Sequence, residues 1–201
     1  MGRLSISSVA AVCILAGAMS AAEARGPWMN LGKSTKAPKA FYSFCGAHPG
    51  ECSRKNGRAG KRVKMTPERW AELNSVNRKV NRSVREVSDM VTAGRKDVWQ
   101  LPSAKGDCED FALLKRQRLI ALGWPSSALL MTVVRDRRLE GHAVLTVVTD
   151  KGDYVLDNRT RRINLWSSTP YIYFSRQSQS NPKAWVSVTT DVQRLRAKAG
   201  R

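Results

Sequence analysis

Acidic residues, histidines and cysteines are scarce in this chain of 201 residues. It has 16 Asp and Glu against 35 Lys and Arg, two His and four Cys. The resulting net charge of +19 predicts attraction to anionic partners and says nothing about the fold. Hydrophobic residues make up 42% of the chain and charged residues an ordinary 25%, which favours one folded domain over disorder.

Long apolar runs are also lacking beyond the N-terminus. Residues 1–24 combine Arg3, an apolar stretch from Leu4 to Met19 and the triplet Ala22-Glu23-Ala24. This order is typical of a secretory signal peptide that is cleaved after Ala24. A membrane anchor or a buried N-terminal helix is the alternative, but the apolar stretch is shorter than the ~20 residues that an anchor needs. We therefore predict a periplasmic or secreted protein without a transmembrane segment after cleavage.

The cysteines that remain after cleavage predict one disulfide and one free thiol. Removal of Cys13 leaves three cysteines, and a Pro-Gly pair between Cys45 and Cys52 allows the chain to turn back so that their sulfurs meet. A zinc site is the alternative, but these two cysteines and His48 leave the fourth ligand unidentified. Cys108 is then the free thiol.

Composition divides the chain into four segments. After the signal peptide, residues 25–64 are predicted to form an extended basic arm, with ten basic residues, one acidic residue and no sustained periodicity. Residues 65–190 contain the periodic patterns of a folded domain, and residues 191–201 form a basic tail. We expect the basic flanks to bind anionic polymers of the cell envelope. Nucleic acid is not an expected partner, because export removes it and no stacking aromatics alternate with the basic residues.

Helices followed by antiparallel strands predict an α+β fold. The first helix begins at the N-cap Thr66 with Pro67 in its first turn and ends near Gly94, and the second extends from about Asp107 to Leu122. Runs of β-branched residues predict the strands. These are the central strands Leu129–Val134 and His142–Thr149, then Tyr154–Asp157, the edge strands Ile163–Trp166 and Tyr171–Phe174, and Trp185–Val188, which closes the sheet.

Cys108 is the candidate nucleophile. A lone cysteine is more often a small buried hydrophobe, but this one is an unpaired thiol at a helix N-terminus, where the helix dipole favours thiolate. Gly106 permits close approach of another part of the chain. Because His48 lies inside the predicted disulfide loop, His142 is the natural general base.

A carboxylate is needed to hold the imidazole, and Asp157 ends the strand that pairs with the one His142 begins. The pairing register decides whether they meet. A hairpin centred between Thr149 and Asp150 places residues 142 and 157 opposite each other, whereas a tight Lys151-Gly152 turn places 157 about 13 Å away along the strand, opposite Thr146. The sequence leaves both registers open.

Three motifs together carry a family resemblance. The blocks Gly106-Asp107-Cys108-Glu109-Asp110, Gly141-His142-Ala143-Val144-Leu145 and Val155-Leu156-Asp157-Asn158 resemble those of the bacterial transglutaminase-like cysteine peptidase family. The resemblance implies a papain-like α+β core, in which the helix bearing the cysteine packs on an antiparallel sheet. It also implies a Cys108, His142 and Asp157 triad that acts through an acyl-enzyme.

The resemblance extends to the residues around the nucleophile. Family members that release surface adhesins bind calcium through the two acids flanking the cysteine, which here are Asp107 and Glu109. From residue type alone, acids in a first helical turn simply complement the helix dipole. For the oxyanion, the Cys108 N–H is one donor, and Trp99 or Gln100 in the preceding loop is the candidate for a second.

The sequence therefore predicts an exported cysteine peptidase that hydrolyses amide bonds of a protein substrate. By resemblance, that substrate is a surface adhesin. No cofactor is required for the chemistry, and calcium is the one ion whose binding the resemblance implies. A transglutaminase-type acyl transferase with the same triad is the first alternative. The second is a catalytically inert protein of this fold that binds the cell envelope.

Overall fold

In the computed structural model of the chain, helices pack against a large antiparallel sheet. The structure describes residues 26–94 and 97–189, apart from the side chain of Thr92. The predicted signal peptide and basic tail lie outside the described residues. Within them, no helix is long and apolar enough to span a bilayer. The α+β fold class is confirmed.

Seven strands make one sheet in which every neighbouring pair is antiparallel, in the order β1-β9-β8-β4-β5-β6-β7. Two short strands, β2 and β3, pair in parallel apart from it. The elements in chain order are β1 (Leu31–Thr35), α1 (Lys39–Ala47), α2 (Pro67–Ser83), β2 (Arg85–Glu86), α3 (Asp89–Thr92), β3 (Lys105–Gly106), α4 (Cys108–Ala121), β4 (Leu129–Arg135), β5 (Gly141–Thr149), β6 (Gly152–Leu156), β7 (Asn164–Leu165), β8 (Ile172–Gln177) and β9 (Trp185–Val188).

The main core lies between the sheet and helices α2 and α4. Leu73 of α2 and Phe111 and Leu119 of α4 pack in one cluster with Met131 of β4 and Leu145 of β5. Apolar residues occupy most of the circumference of α4, as expected for a helix covered on nearly all sides. The sheet and α2 therefore hold α4, and with it Cys108, in a fixed position.

The prediction of an extended arm over residues 25–64 is wrong for its described part. Residues 26–64 contain β1, which pairs with β9, and α1, whose Phe41 and Phe44 are buried in the main core. Three-residue spacing of these phenylalanines is helical, but the helix is too short for its period to stand out. The predicted Cys45–Cys52 disulfide is present and joins the end of α1 to the following turn.

Both predicted helices begin where expected, but the first ends early. Thr66 accepts a hydrogen bond from the Arg69 N–H as the N-cap of α2, and α4 begins at Cys108. Helix α2 ends at Ser83 rather than near Gly94, because the chain becomes extended and β2 pairs with β3. The backbone pairing that ends the helix is contributed by residues about twenty positions away.

A strand is present at each predicted place, but two strands occupy other positions in the sheet than expected. β4, β5 and β6 lie within about two residues of their predicted bounds. The predicted edge strand Tyr171–Phe174 corresponds to β8, an interior strand between β4 and β9. Trp185–Val188 does not close the sheet, because β1 continues it, and Ile163–Trp166 contributes only the two-residue edge strand β7.

Candidate active site

Cys108 begins α4 and lies beside the start of β5. Its sulfur accepts a hydrogen bond from the Ala143 N–H at 3.4 Å. Gly106 approaches the side chain of Asp110 so closely that a Cβ atom there would lie 2.6 Å from Asp110 Oδ2. This glycine therefore allows the chain to enter α4 tightly and sets the position of the thiol.

His142 and Asp157 are in direct contact. The distance from His142 Nε2 to Asp157 Oδ1 is 3.0 Å, and both side chains are buried. Leu145 pairs with Leu156 and Thr149 with Gly152, so the hairpin turns at residues 150–151, midway between the two registers left open by the sequence. In this register Asp157 is the diagonal neighbour of His142 on the same face of the sheet, within reach of a long side chain.

Three donors hold the Asp157 carboxylate. Oδ1 also accepts the Arg159 N–H at 3.1 Å, and Oδ2 accepts the Tyr171 hydroxyl. Burial raises the pKa of Asp157, but the hydrogen bonds and charge of His142 and the Tyr171 bond outweigh burial and place the pKa below its ordinary value. Sequence analysis missed Tyr171, since an aromatic residue in a predicted strand carries no signal of such a contact.

One of the two ring nitrogens of His142 is hydrogen-bonded. Nε2 is taken by Asp157, and Nδ1 is buried without a hydrogen-bond partner among the described residues, Cys108 included. His142 and Cys108 are both lining residues of the same cleft. Its other lining residues are Pro38, Asp97, Trp99, Asp107, Glu109, Val133, Gly141 and Ala143.

The acids around Cys108 oppose formation of the thiolate. Burial and then the negative charge of Glu109 raise the pKa of the Cys108 thiol well above its ordinary value, and the thiol donates a hydrogen bond to Glu109 Oε2 at 3.1 Å. Burial and the charge of Asp107 raise the pKa of Glu109 to about 9. Nucleophilic chemistry at this cysteine therefore requires something that offsets the acids.

Two overlapping sets of side chains in the described part of the chain have the geometry of a cation site. One consists of Asp107, Cys108 and Glu109, and the other of Asp89, Asp107 and Asp110, with the candidate ligand atoms of each set within 4.8 Å of one another. In the second set Asp89 Oδ1, Asp107 Oδ1 and Asp110 Oδ2 are buried and lack a hydrogen-bond partner. Three such oxygens suit a hard cation such as Ca²⁺, so these residues fit the ion.

The two candidates for the second oxyanion donor differ in their hydrogen bonds. The Gln100 N–H donates to Asp110 Oδ1 at 2.9 Å and is engaged away from the cleft. Trp99 lines the cleft beside Cys108, and its indole N–H donates to Asp97 Oδ1. Both residues stay predictions as the second donor, with the Gln100 backbone N–H and the Trp99 indole N–H each already bound to an aspartate.

Comparison with known proteins supports both the fold and the chemistry. The family model of the bacterial transglutaminase-like cysteine proteinase BTLCP matches residues 31–193. Calcium-bound LapG of Legionella pneumophila is similar at 23% identity and a TM-score of 0.51, covering 67% of this chain and 82% of that chain. A second LapG structure of this organism is 25% identical with a TM-score of 0.52, covering 68% of this chain and 77% of that chain. EGTA-treated LapG is 26% identical with a TM-score of 0.52, covering 66% of this chain and 76% of that chain. No curated protein matches the chain.

Proposed function

The chain belongs to the bacterial transglutaminase-like cysteine proteinase family and is a cysteine peptidase, and we propose that it hydrolyses amide bonds of a protein substrate outside the cytoplasm, with Cys108, His142 and Asp157 as its triad. The observation that carries the proposal is the buried His142–Asp157 hydrogen bond, together with the cleft that both His142 and Cys108 line. It leaves the other imidazole nitrogen for the thiol, which is the division of roles that a cysteine–histidine pair needs.

Catalysis proceeds in two displacements. Nδ1 of His142 takes the Cys108 proton while the sulfur attacks the amide carbonyl, and the resulting tetrahedral oxyanion is stabilised by the Cys108 N–H at the start of α4. His142 then protonates the departing amine, which leaves an acyl group on the sulfur. Water, deprotonated by His142, attacks this thioester. The carboxylate product leaves, and the Cys108 thiol is regenerated.

Asp157 keeps the imidazole in the required tautomer. A carboxylate on Nε2 holds a proton on that nitrogen, which leaves Nδ1 as the acceptor. Because the Tyr171 hydroxyl and the Arg159 N–H also donate to Asp157, the carboxylate stays anionic and its plane is fixed. The negative charge also stabilises the imidazolium that forms when Cys108 loses its proton.

The direct test of this function is Cys108→Ala. Incubated with proteins of the native envelope, the wild-type protein should generate new free N-termini and carboxylates, and the variant should generate none while melting like the wild type. Mass spectrometry of the products identifies the cleaved substrate. Equal cleavage by Cys108→Ala would exclude the peptidase mechanism, and isopeptide crosslinks in place of new termini would indicate acyl transfer.

Calcium is the cation that we propose for the acidic cluster. Asp107, common to both candidate sets, is held with Asp89 and Asp110 on one side and Glu109 on the other. A bound Ca²⁺ would supply positive charge that offsets the acids around the thiol. The calcium-bound and EGTA-treated LapG structures support an ion in this family.

Melting temperature tests the calcium proposal without reference to activity. We expect Ca²⁺ to raise the melting temperature of the EGTA-treated protein, because the ion binds only the folded state. Asp107→Ala should abolish the increase, whereas Glu86→Ala, which removes an exposed carboxylate on β2, should retain it. An equal increase in Asp107→Ala would rule out this site.

Export and envelope binding are proposed from the composition of residues 1–24 and of the basic segments. We propose cleavage after Ala24, so that N-terminal sequencing of the protein from its native host begins at Arg25. The basic segment that follows should then bind anionic envelope polymers, and increasing salt should release the protein because the contacts are screened. A protein that retains residues 1–24 in the cytoplasm would contradict the export proposal.

A further inference from the structure

A second cavity adjoins the cleft at Cys108. Its volume is about 520 Å³, against about 480 Å³ for the cleft. Asp97 and Trp99 line both cavities, and Pro38 of the cleft is followed directly by Lys39 of the second cavity. The two cavities are therefore parts of one groove, which passes the nucleophile and continues along α1.

One wall of the second cavity is an exposed stripe of α1. Lys39, Ser43 and Ala47 are spaced four residues apart, so their side chains lie on the same side of the helix. Ala40 and Phe44, which also line the cavity, are buried in the main core. Packing of the helix on the core therefore holds the stripe in a fixed position.

The rest of the lining comes from a segment that precedes β3, namely Asp97, Val98 and Trp99. The Trp99 ring is buried and lies edge to face with Phe41 of α1, at 5.6 Å between ring centroids. The Trp99 indole N–H donates to Asp97 Oδ1 at 3.0 Å, and the Val98 N–H donates to the Asp89 carboxylate. Because this segment is attached both to α1 and to the acidic cluster, the cavity is formed before any substrate binds.

The second cavity has the position and the length that a polypeptide substrate requires. A protein chain leaves the scissile amide on both sides, so cleavage within a chain needs a path that leads away from Cys108. From Lys39 to Ala47 the helix extends about 12 Å, which is the length of about four residues of extended chain. The small side chains of Ser43 and Ala47 keep the groove open along this length. Lys39 and Asp97 contribute one charge of each sign, so the lining favours neither acidic nor basic substrate side chains overall.

We propose that the α1 groove, which is the cavity lined by α1 and residues 97–99, binds about four residues of extended substrate on one side of the scissile amide. Ser43 and Ala47 determine the specificity there, because larger side chains at these positions would fill the space that substrate side chains occupy. The inference rests on the proposed function and adds a class of substrate to it. That class is an exposed linker or loop of a protein, because only a segment outside a helix or sheet can extend along α1.

Ser43→Trp and Ala47→Trp test the groove by filling it. The probe is a tryptic digest of the native envelope proteins, in which mass spectrometry maps every new cleavage site and its rate. We expect each variant to cleave these peptides about tenfold more slowly than the wild type, because the substrate segment is displaced. Alkylation of Cys108 by iodoacetamide should keep its wild-type rate, since this small reagent does not occupy the α1 groove. Tyr42→Trp is the matched control, because Tyr42 is 55% exposed on α1 and lines neither cavity.

The cleavage sites that remain in the two variants locate the groove on the substrate. They should carry smaller side chains than the wild-type sites at positions on one side of the cleaved amide, and unchanged residues on the other side. Wild-type cleavage rates in Ser43→Trp and Ala47→Trp would overturn the inference. An equal loss of cleavage in Tyr42→Trp, or a parallel loss of Cys108 alkylation, would also overturn it, because the effect would then not arise in the groove. If Cys108→Ala cleaves the digest as the wild type does, the proposed function itself fails.

Discussion

At the scale of single residues, hydrogen bonds to Asp157 decide the charge state of the site. The carboxylate accepts from His142 and Arg159 on one oxygen and from Tyr171 on the other, so neither oxygen depends on solvent. Arg159 also pairs through its side chain with Asp136, which accepts the N–H groups of Arg138 and Glu140 in the loop preceding β5. Arg159 thus links Asp157 to the loop that directly precedes β5 and His142.

Tyr171→Phe tests this arrangement. The ring remains to pack beside His142, while one hydrogen bond to the carboxylate is lost, and bonds to charged groups contribute about 1.5–3 kcal/mol. We expect the rate of Cys108 alkylation to fall on the order of tenfold with the fold intact. Tyr173→Phe, two residues further along the chain, removes a hydroxyl that pairs with Thr169 instead, and should have no such effect. Equal rates in the two variants would contradict the role of Tyr171.

Gly106→Ala tests the entry into α4. The added Cβ would lie 2.6–3.1 Å from three atoms of the Asp110 side chain, so that Asp110 or the start of the helix must move. We expect a lower melting temperature and slower alkylation of Cys108. Gly46→Ala in α1 is the control, because its Cβ meets no atom within 4 Å and alanine favours the helix. A wild-type melting temperature in Gly106→Ala would show that the entry is less tight than the structure indicates.

At the scale of elements, the site is built by one helix terminus and one hairpin. Helix α4 supplies Cys108 and the β5–β6 hairpin supplies His142 and Asp157, so relative displacement of the two would separate the nucleophile from its base. The Ala143 N–H that donates to the sulfur lies directly next to His142 and couples the two elements. Helix α1, which contributes Phe41 and Phe44 to the core, borders the same region through Pro38 before its first turn.

The disulfide stabilises α1 rather than the catalytic elements. Cys45 lies in the last part of α1, and Cys52 is buried beyond the turn that follows. The bridge therefore links the C-terminal end of α1 to the segment directly after it. Replacing both by serine should lower the free energy of unfolding by about 2–3 kcal/mol, as measured by denaturant titration. Cys108→Ser, which removes the free thiol, should change stability far less. Equal stability with and without the bridge would mean that α1 packing alone holds the segment.

At the scale of the whole molecule, charge is unevenly distributed. Residues 107–160, which carry the proposed triad, contain eight basic and eight acidic residues, whereas the excess positive charge lies in the flanking segments. We therefore expect the net charge of +19 to affect binding to anionic partners rather than the chemistry at Cys108.

Lys115 makes the stability of the whole molecule depend on pH. Its pKa falls from 10.5 to about 7 on burial, so between these values the unfolded chain binds a proton that the folded chain does not, and the free energy of unfolding rises with pH. The gain in stability of Lys115→Met should be largest at about pH 7 or below and shrink towards pH 10. Denaturant titrations across this range measure it. Arg118→Met should show no such trend, because arginine keeps its proton throughout.

Local and short-range features were predictable from the sequence. The N-caps and glycines around α2 and α4, the β-branched runs of β4 and β5, and the Cys45–Cys52 pair act over a few residues, so their patterns are visible in the chain. The same holds for Cys108, His142 and Asp157 as candidates, since they lie in short motifs. Where the structure differs, as at the end of α2 and in the interior position of β8, the cause is pairing with residues distant in sequence.

The candidate site residues and the type of the central elements were thus determined by the sequence itself, because propensity, capping and motif chemistry are properties of neighbouring residues. Only the tertiary structure decided that the hairpin turns at residues 150–151, that Tyr171 donates to Asp157, that Gln100 binds Asp110, and that Lys115 is buried. Each of these depends on packing between segments that are far apart in the sequence, or on a choice between strand registers that differ by two residues. The free energy of packing in the folded molecule selects one of the alternative contacts or registers, and patterns among neighbouring residues do not predict which one.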